Sequence, residues 1–399
     1  MTQALRKVCP ACDEPEAAKI RPLTTESGET EKILGKCTDC GSCVKACNFL
    51  KHYCDSPKEL ARRFLRNPLE NIEIPYSCSL CGLCQRICRH GLYPGGMCHE
   101  TRVKIFQPLH DRNLPADFVY DYVTPRLRGI RSHQIFSTSS VFALSKPPEK
   151  PGIDIGSVPK RVFFPGCSFP AYAPDVVLRA YQYLREKLPG IGVVLNCCGK
   201  PSKDMGDMTK FRGIFNNTLA EFARLGVEEV VLACINCHKT FRENSEIRLR
   251  TIYEVLEERG LPESAAASGG PVTIHDSCPA RYRPEIRNAV RNIAAKLGHE
   301  VKEFRFKNEL TQCCGAGGCA PTGNTTLADR HTRTRAAQAR GPVITYCAHC
   351  RERFSTQVPA QHILDLVFGA PAGKQLTESH DAWKNWLHRW QLKKKLQHL

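Results

Sequence analysis

Two short stretches carry adjacent cysteines followed by glycine: Asn196-Cys197-Cys198-Gly199 and Thr311-Gln312-Cys313-Cys314-Gly315-Ala316-Gly317-Gly318. Packing rarely calls for such a unit. On an extended strand neighbouring side chains point to opposite faces, so two adjacent thiols converge only on a turn. Gly315 permits that turn and lets backbone amides approach a bulky anion. Each pair belongs to a longer series: Cys167 precedes the first and Cys234-Ile-Asn-Cys237 follows it, while Cys278 precedes the second and Cys347-Ala-His-Cys350 follows it. Cys278 lies 111 residues after Cys167, Cys313 lies 116 after Cys197, and Cys347 lies 113 after Cys234. The near-constant offset marks a duplicated metal-binding module with small loop differences.

A second type of run lies upstream, Cys37-Thr-Asp-Cys40-Gly-Ser-Cys43-Val-Lys-Ala-Cys47, and recurs as Cys78-Ser-Leu-Cys81-Gly-Leu-Cys84-Gln-Arg-Ile-Cys88. Each ligand of the second copy lies 41 residues after its counterpart. C-x2-C-x2-C-x3-C written twice is the spacing of bacterial two-cluster ferredoxins, in which the fourth cysteine of each run serves the other cluster. Cys37, Cys40, Cys43 and Cys88 are therefore assigned to one [4Fe-4S] cubane, and Cys78, Cys81, Cys84 and Cys47 to a second. Asn48 and Arg89 stand where proline usually follows the fourth cysteine, a departure from the compact bacterial ferredoxin that removes no ligand. Cys54 and Cys98 fall outside the spacing and read as buried spares. Cys9-Pro-Ala-Cys12 is a lone pair that cannot complete a tetrahedral site and reads as peripheral or locally structural. Cys319 is a candidate free thiol near the second vicinal pair.

These cysteines need elements to position them. Asp55 to Arg66 reads as a capped helix between the two ferredoxin runs. Prolines recur from 108 to 159, around a basic segment Arg126-Leu-Arg-Gly-Ile-Arg131, and argue against a long regular element there. From Lys160 strands and helices alternate. Strands are expected at 161–164, 191–195, 229–233, 272–275, 300–306 and 343–346, and helices at 175–188, 207–225, 284–297 and 325–340. Alternation implies parallel sheets, with ligands at strand C-termini, where open α/β sheets place their sites. Pro262 to Pro271, rich in Ala, Ser and Gly, is a flexible linker between the two copies. All three tryptophans, Trp383, Trp386 and Trp390, share one helical stripe with Leu387, followed by Lys393, Lys394 and Lys395. That tail is either an interfacial helix on anionic lipid or a helix docked on the protein's own body or a partner subunit.

At 399 residues with 42% hydrophobic content, the chain is long enough for two or three globular domains. Its 23 cysteines are then metal ligands in a reducing cytoplasm rather than disulfide staples. The N-terminus lacks the apolar run of a signal peptide, and no stretch is long and apolar enough to span a bilayer. The formal charge of +17 would shrink once cluster-bound thiolates are counted. The basic residues are scattered without a reader motif, so nucleic acid is not an expected partner. Gly315, Gly317 and Gly318 do not match G-x-G-x-x-G, and no flavin or nicotinamide site is apparent, so a separate electron donor is implied.

The order Cys167…Cys197-Cys198-Gly199…Cys234-x-x-Cys237, repeated as Cys278…Cys313-Cys314-Gly315…Cys347-x-x-Cys350, resembles the cysteine-rich CCG domain pair of heterodisulfide reductases. Preceded by a two-cluster ferredoxin, it is similar to their fused D-type subunit, and in layout to the iron–sulfur subunit of anaerobic glycerol-3-phosphate dehydrogenase and to lactate-utilisation iron–sulfur proteins. The resemblance covers roughly residues 30 to 370. It implies an α+β multidomain chain: an α-helical two-cluster ferredoxin domain (30–106), a connector (107–159), two tandem α/β CCG domains related by pseudo-two-fold duplication (160–262 and 271–372), and a basic amphipathic tail (373–399). It further implies a noncubane [4Fe-4S] cluster on Cys167, Cys197, Cys198, Cys234 and Cys237, and another on Cys278, Cys313, Cys314, Cys347 and Cys350, with zinc possible in one module. Cys197, Cys198, Cys313 and Cys314 are then the cluster-borne catalytic residues. Three functions stay open: reduction of a disulfide or related thiol substrate, electron transfer from a flavoprotein dehydrogenase to a quinone or membrane cytochrome partner, and a zinc-dependent binding protein. The first two place the chain in the cytoplasm, peripheral at the inner face of the membrane through a partner or its tail. His238, His275 and His349 could donate hydrogen bonds to cluster sulfur or protons to a leaving thiolate, or be ordinary satisfied histidines.

Overall fold

The computed structural model describes residues 28–70, 72–111, 160–265, 269–369 and 382–397. Cys9, Cys12, the arginines of 126–131 and most of the expected connector lie outside them. The first part is helical: Glu29–Lys36, Ser42–Ala46, Asn48–Tyr53, Pro57–Arg66, Glu73–Ser77, Leu83–Ile87 and Pro94–Asp111. Most are short because the cysteines interrupt them: Cys37, Cys47, Cys78 and Cys88 each end a helix in extended backbone. The expected helix between the runs begins at Pro57, where Ser56 Oγ accepts from the Lys58 amide at 3.1 Å and proline occupies the first turn. Ile33, Phe49, Leu50, Leu60, Ala61, Met97 and Cys98 make a small core beneath these helices. The Pro94–Asp111 helix runs through Pro108 and past the expected domain limit at 106.

Two four-stranded parallel sheets follow. β1 (Arg161–Phe164), β2 (Gly192–Val193), β3 (Glu229–Leu232) and β4 (Arg248–Thr251) form one sheet in the order β2-β1-β3-β4. β5 (Gly270–His275), β6 (His299–Glu303), β7 (Val343–Thr345) and β8 (Ala360–His362) form the other in the order β6-β5-β7-β8. The central strands are continuous apolar runs, Val162-Phe163-Phe164 and Val230-Val231-Leu232, buried on both faces as parallel strands must be. Helices Pro174–Lys187 and Met208–Arg224 cover the first sheet, and Pro284–Lys296 and Thr325–Ala336 accompany the second. One apolar cluster runs unbroken from Phe163, Leu184 and Val255 to Ile274, Val290 and Ile344, so the two sheets share a core.

Two strand–helix units escaped the periodicity reading: β4 with helix Ile252–Arg259, and β8 with helix Ile363–Phe368. Both strands are edge strands of three or four residues with little apolar content, so alternation is silent there. Their capping boxes were the available signal. Thr251 pairs reciprocally with Glu254, and His362 with Asp365.

Candidate metal centres

Each thiol series converges. Cys43 is buried beside Cys37, Cys88 and Cys40; burial, then those three thiolates, push its thiol up to about 11. Cys47 is held up by burial and by Cys81 and Cys78, and Cys84 by burial and by Cys81, Cys47 and Cys78. The fourth cysteine of each run thus lies with the first three of the other. Cys37, Cys40, Cys43 and Cys88 line one space, closed by Ile33, Leu92 and Pro94. Cys47, Cys78, Cys81 and Cys84 line another, whose wall includes Gln312, Cys313, His331 and Arg335 from the second sheet domain.

In the first cysteine-rich module Cys167 ends up just past β1, Cys197-Cys198 past β2, and Cys234 at the start of helix Ile235–Asn244. Cys197 Sγ lies 3.8 Å from Cys167 Sγ. Cys198 is pulled well below the usual thiol range by bonds from Cys197 and Cys237, and Cys237 is pushed well above it by bonds to Cys198 and Cys234. All five thiols therefore form one chain of contacts. The second module repeats the arrangement: Cys313 interacts with Cys278 and Cys314, Cys314 also with Cys350, and Cys350 with Cys347. The glycine after each pair turns the backbone: φ is +73° at Gly199 and +99° at Gly315. The Gly199 amide donates to Cys197 Sγ at 3.4 Å and the Gly315 amide to Cys313 Sγ at 3.3 Å.

The modules face each other across a cavity of about 110 Å³ lined by Cys167, Cys198, Cys234 and Cys237 on one side and Cys278, Cys314, Cys347 and Cys350 on the other. Asn236 donates across it to Cys347 Sγ at 3.4 Å, and His349 lies 3.4 Å from Ser168 Oγ. The cavity shares Leu80, Lys200, Asp204 and Lys239 with a larger cleft along the Pro94–Asp111 helix.

Every cysteine among the described residues is a free thiol. Buried thiols this close cannot all ionise alone, because like charges in a low dielectric raise one another's pKa. Opposed shifts between neighbouring thiols, Cys197 up against Cys198 down and Cys278 up against Cys313 down, express that conflict. A polynuclear iron–sulfur core, which needs deprotonated thiolates and supplies the compensating positive charge, resolves it, so the donor sets fit such groups.

Other candidates sort by surroundings. Burial, with Asp204, pushes Cys319 up to about 12, so it is a poor nucleophile in the folded chain, although it does line the central cavity. Burial pushes Cys54 up to about 12 as well, and Cys98 is fully enclosed against Cys78. His238 is buried and held down to about 4 by burial and by Arg283 and Arg242.

Three arginines with no motif to announce them were missed. Arg102, fully buried, donates to the Pro75 carbonyl through Nε at 3.0 Å, and to Cys78 O and Gly318 O at 2.7 Å each. Arg281 donates to Cys81 O at 3.0 Å and to Thr311 O at 2.9 Å. Arg389 reaches from the tail helix Ala382–Gln397 to the Cys167 carbonyl at 2.9 Å.

Comparison with known proteins identifies the domain types. A 4Fe-4S dicluster domain matches residues 36–93, and a cysteine-rich domain matches twice, at 161–242 and 272–355. An uncharacterized iron–sulfur protein of Methanocaldococcus jannaschii is 28% identical over 371 residues, covering 84% of this chain and 70% of that protein. A subunit of the CoM/CoB fumarate reductase of Methanothermobacter marburgensis is 23% identical over 382 residues, covering 88% and 74%. The D-type subunit of the dihydromethanophenazine:CoB–CoM heterodisulfide reductase of Methanosarcina mazei is 22% identical over 345 residues, covering 74% and 81%. With its 4Fe-4S dicluster domain and its two cysteine-rich domains, the chain is an iron–sulfur protein related to the D-type subunit of heterodisulfide reductases.

Proposed function

We propose that this chain carries electrons from a separate donor, through two cubanes, to a pair of cluster sites in its cysteine-rich modules, and there reduces a disulfide of two thiol substrates. The observation that carries this reading is the shared wall: Cys313 lines the same space as Cys47, Cys78, Cys81 and Cys84, and the next cavity is lined by thiols of both modules. When bound, iron–sulfur clusters supply one-electron carriers whose potentials follow burial and hydrogen bonding. Cys37, Cys40, Cys43 and Cys88 would hold one cubane, and Cys78, Cys81, Cys84 and Cys47 the other. Cys167, Cys197, Cys198, Cys234 and Cys237 would hold a noncubane cluster, and Cys278, Cys313, Cys314, Cys347 and Cys350 its counterpart, zinc being the alternative in one module. The equal strand orders and matching cysteine positions support descent of the two modules by duplication.

The overall step is R–S–S–R′ with two electrons and two protons giving RSH and R′SH. Two module sites facing one cavity suit a two-electron acceptor delivered to by one-electron carriers. The cleft beside Lys200, Asp204 and Lys239 admits the substrate. The electrons come from a separate donor subunit, a flavoprotein or another electron carrier. Two relatives are named for CoM/CoB chemistry, which supports a heterodisulfide as the substrate class. Among the described residues no helix is long and apolar enough to cross a membrane. A membrane or quinone connection would therefore run through a partner or the tail helix.

Anaerobic purification followed by iron and sulfide quantification tests the proposal, with about sixteen irons per chain expected from four four-iron clusters. About eight would reduce the cysteine-rich modules to zinc or empty sites and sink the two-electron mechanism. A full iron complement that disulfides fail to reoxidise would instead favour electron transfer onward to a quinone or membrane partner.

A further inference from the structure

The two cysteine-rich modules differ at one buried position. β1 ends at Phe164, three residues before Cys167, and β5 ends at His275, three residues before Cys278. The slots are built alike. Phe164 meets Phe241 edge-on at 5.3 Å and Phe222 at 6.2 Å, whereas His275 meets Phe354 edge-on at 4.7 Å and Phe304 at 5.9 Å. Phe241 and Phe354 each lie four residues after the last cysteine of their module. An aromatic ring satisfies this slot in the first module. The second carries an imidazole there instead, in an apolar setting where an unpaired ring nitrogen is destabilising.

His275 is 1% exposed, and its Nδ1 has no hydrogen-bond partner among the described residues. A ring nitrogen of His275 and the Sγ atoms of Cys314 and Cys350 all lie within 4.8 Å of one another. Among the described residues this is the one group of three or more such donors drawn so close. One imidazole nitrogen therefore lies among the thiols, within reach of a metal held by Cys314 and Cys350. Imidazole is as ordinary a ligand as thiolate to iron and zinc.

We propose that His275 supplies an imidazole nitrogen to the metal centre of the second module, which makes that centre a mixed thiolate–imidazole site while the first remains all-thiolate. The inference rests on the reading that Cys278, Cys313, Cys314, Cys347 and Cys350 hold a metal centre. A neutral ligand leaves the centre less negative and so easier to reduce, the direction histidine ligation takes in Rieske centres. The module beside the second cubane would then be the first acceptor.

The test uses the full chain, purified anaerobically with its native metals and labelled with 15N-histidine, together with His275→Phe, which installs the residue found in the first module. Iron and zinc are counted first. Iron in the second module calls for hyperfine-resolved EPR of each paramagnetic state met in a redox titration. Zinc there calls for X-ray absorption at the zinc edge. The expected result is a histidine nitrogen coupling, or one nitrogen scatterer per zinc, in the unsubstituted protein, lost in His275→Phe with a fall in that centre's midpoint potential. The labelled wild-type measurement decides the matter even where the variant fails to fold. A centre present at full occupancy with no histidine nitrogen overturns the inference and leaves the proposed function standing. Absence of any metal from the second module overturns both.

Discussion

At Gly315 a Cβ would lie 2.5 Å from the Ala328 carbonyl oxygen and 2.8 Å from Thr332 Oγ1, at a backbone φ of +99° that L-residues rarely adopt. The turn that brings Cys313 and Cys314 together thus requires glycine on two independent grounds. Gly315→Ala should lose about 2–3 kcal/mol of stability through strain at this φ, and release the second module's metal first. Chemical denaturation together with metal analysis checks it, and unchanged metal content would contradict the turn's role. His362 offers a pH signature. Its Nδ1 accepts from the Leu364 amide at 3.2 Å as a helix cap, which requires the unprotonated ring. Burial, with the nearby Arg351 charge, holds it down to about 3 from an ordinary 6.5. A depressed histidine pKa favours folding above 6.5, and that contribution is lost as pH falls toward 3, because only the unfolded chain takes up the proton. Between pH 6.5 and pH 5 the loss amounts to about 2 kcal/mol. His362→Asn keeps a capping side chain without the titration, so its denaturation midpoint should drop less than the wild type's between pH 7 and pH 5.

At the scale of elements, the tail helix separates pattern from placement. Its tryptophan stripe is the conspicuous feature, and Trp383 and Trp390 remain exposed. The docked face is a different one, with Arg389, Leu392 and Leu396 buried, His388 Nδ1 2.6 Å from Ala171 O, and Lys395 paired to Asp175 at 2.7 Å. Of the two sequence readings, docking on the protein's own body describes this face, through residues other than the tryptophans. The guanidinium of Arg389 lies close enough to Cys167 and Cys197 to interact with their charge. Arg389→Met should therefore accelerate iron loss from the first module to a chelator by about tenfold, as outer partners of metal ligands commonly do. Iron release followed optically checks it, and an unchanged rate would reduce the contact to packing. The short edge strands β4 and β8 make the complementary point. Their composition hides them, whereas the capping boxes of the helices that follow were readable.

For the whole molecule, Arg102 joins three parts of the chain. From the Pro94–Asp111 helix it bonds carbonyls where the second ferredoxin run begins, at Pro75 and Cys78, and in the second module at Gly318. It also bonds Asp204 O in the first module. Arg102→Met would strand these buried carbonyls, and a loss of about 3 kcal/mol is expected from the unsatisfied groups. The signature is loss of coupling: thermal unfolding followed at separate probes should split into two transitions. A single cooperative transition at the wild-type midpoint would refute the bridging role. The sequence by itself determined the candidate thiol sets, because cysteines repeated at these fixed spacings have few roles besides holding a cluster. It also determined the alternation of strands and helices, because a parallel strand buried on both faces must be a continuous apolar run. Tertiary structure alone decided that Cys313 lines the space of the second ferredoxin thiol set, that the two modules share one cavity, and that Arg102, Arg281 and Arg389 close the contacts around them. A lone arginine bonding backbone carbonyls far away in sequence leaves no periodicity or motif, since its partners present the same groups whatever their side chains.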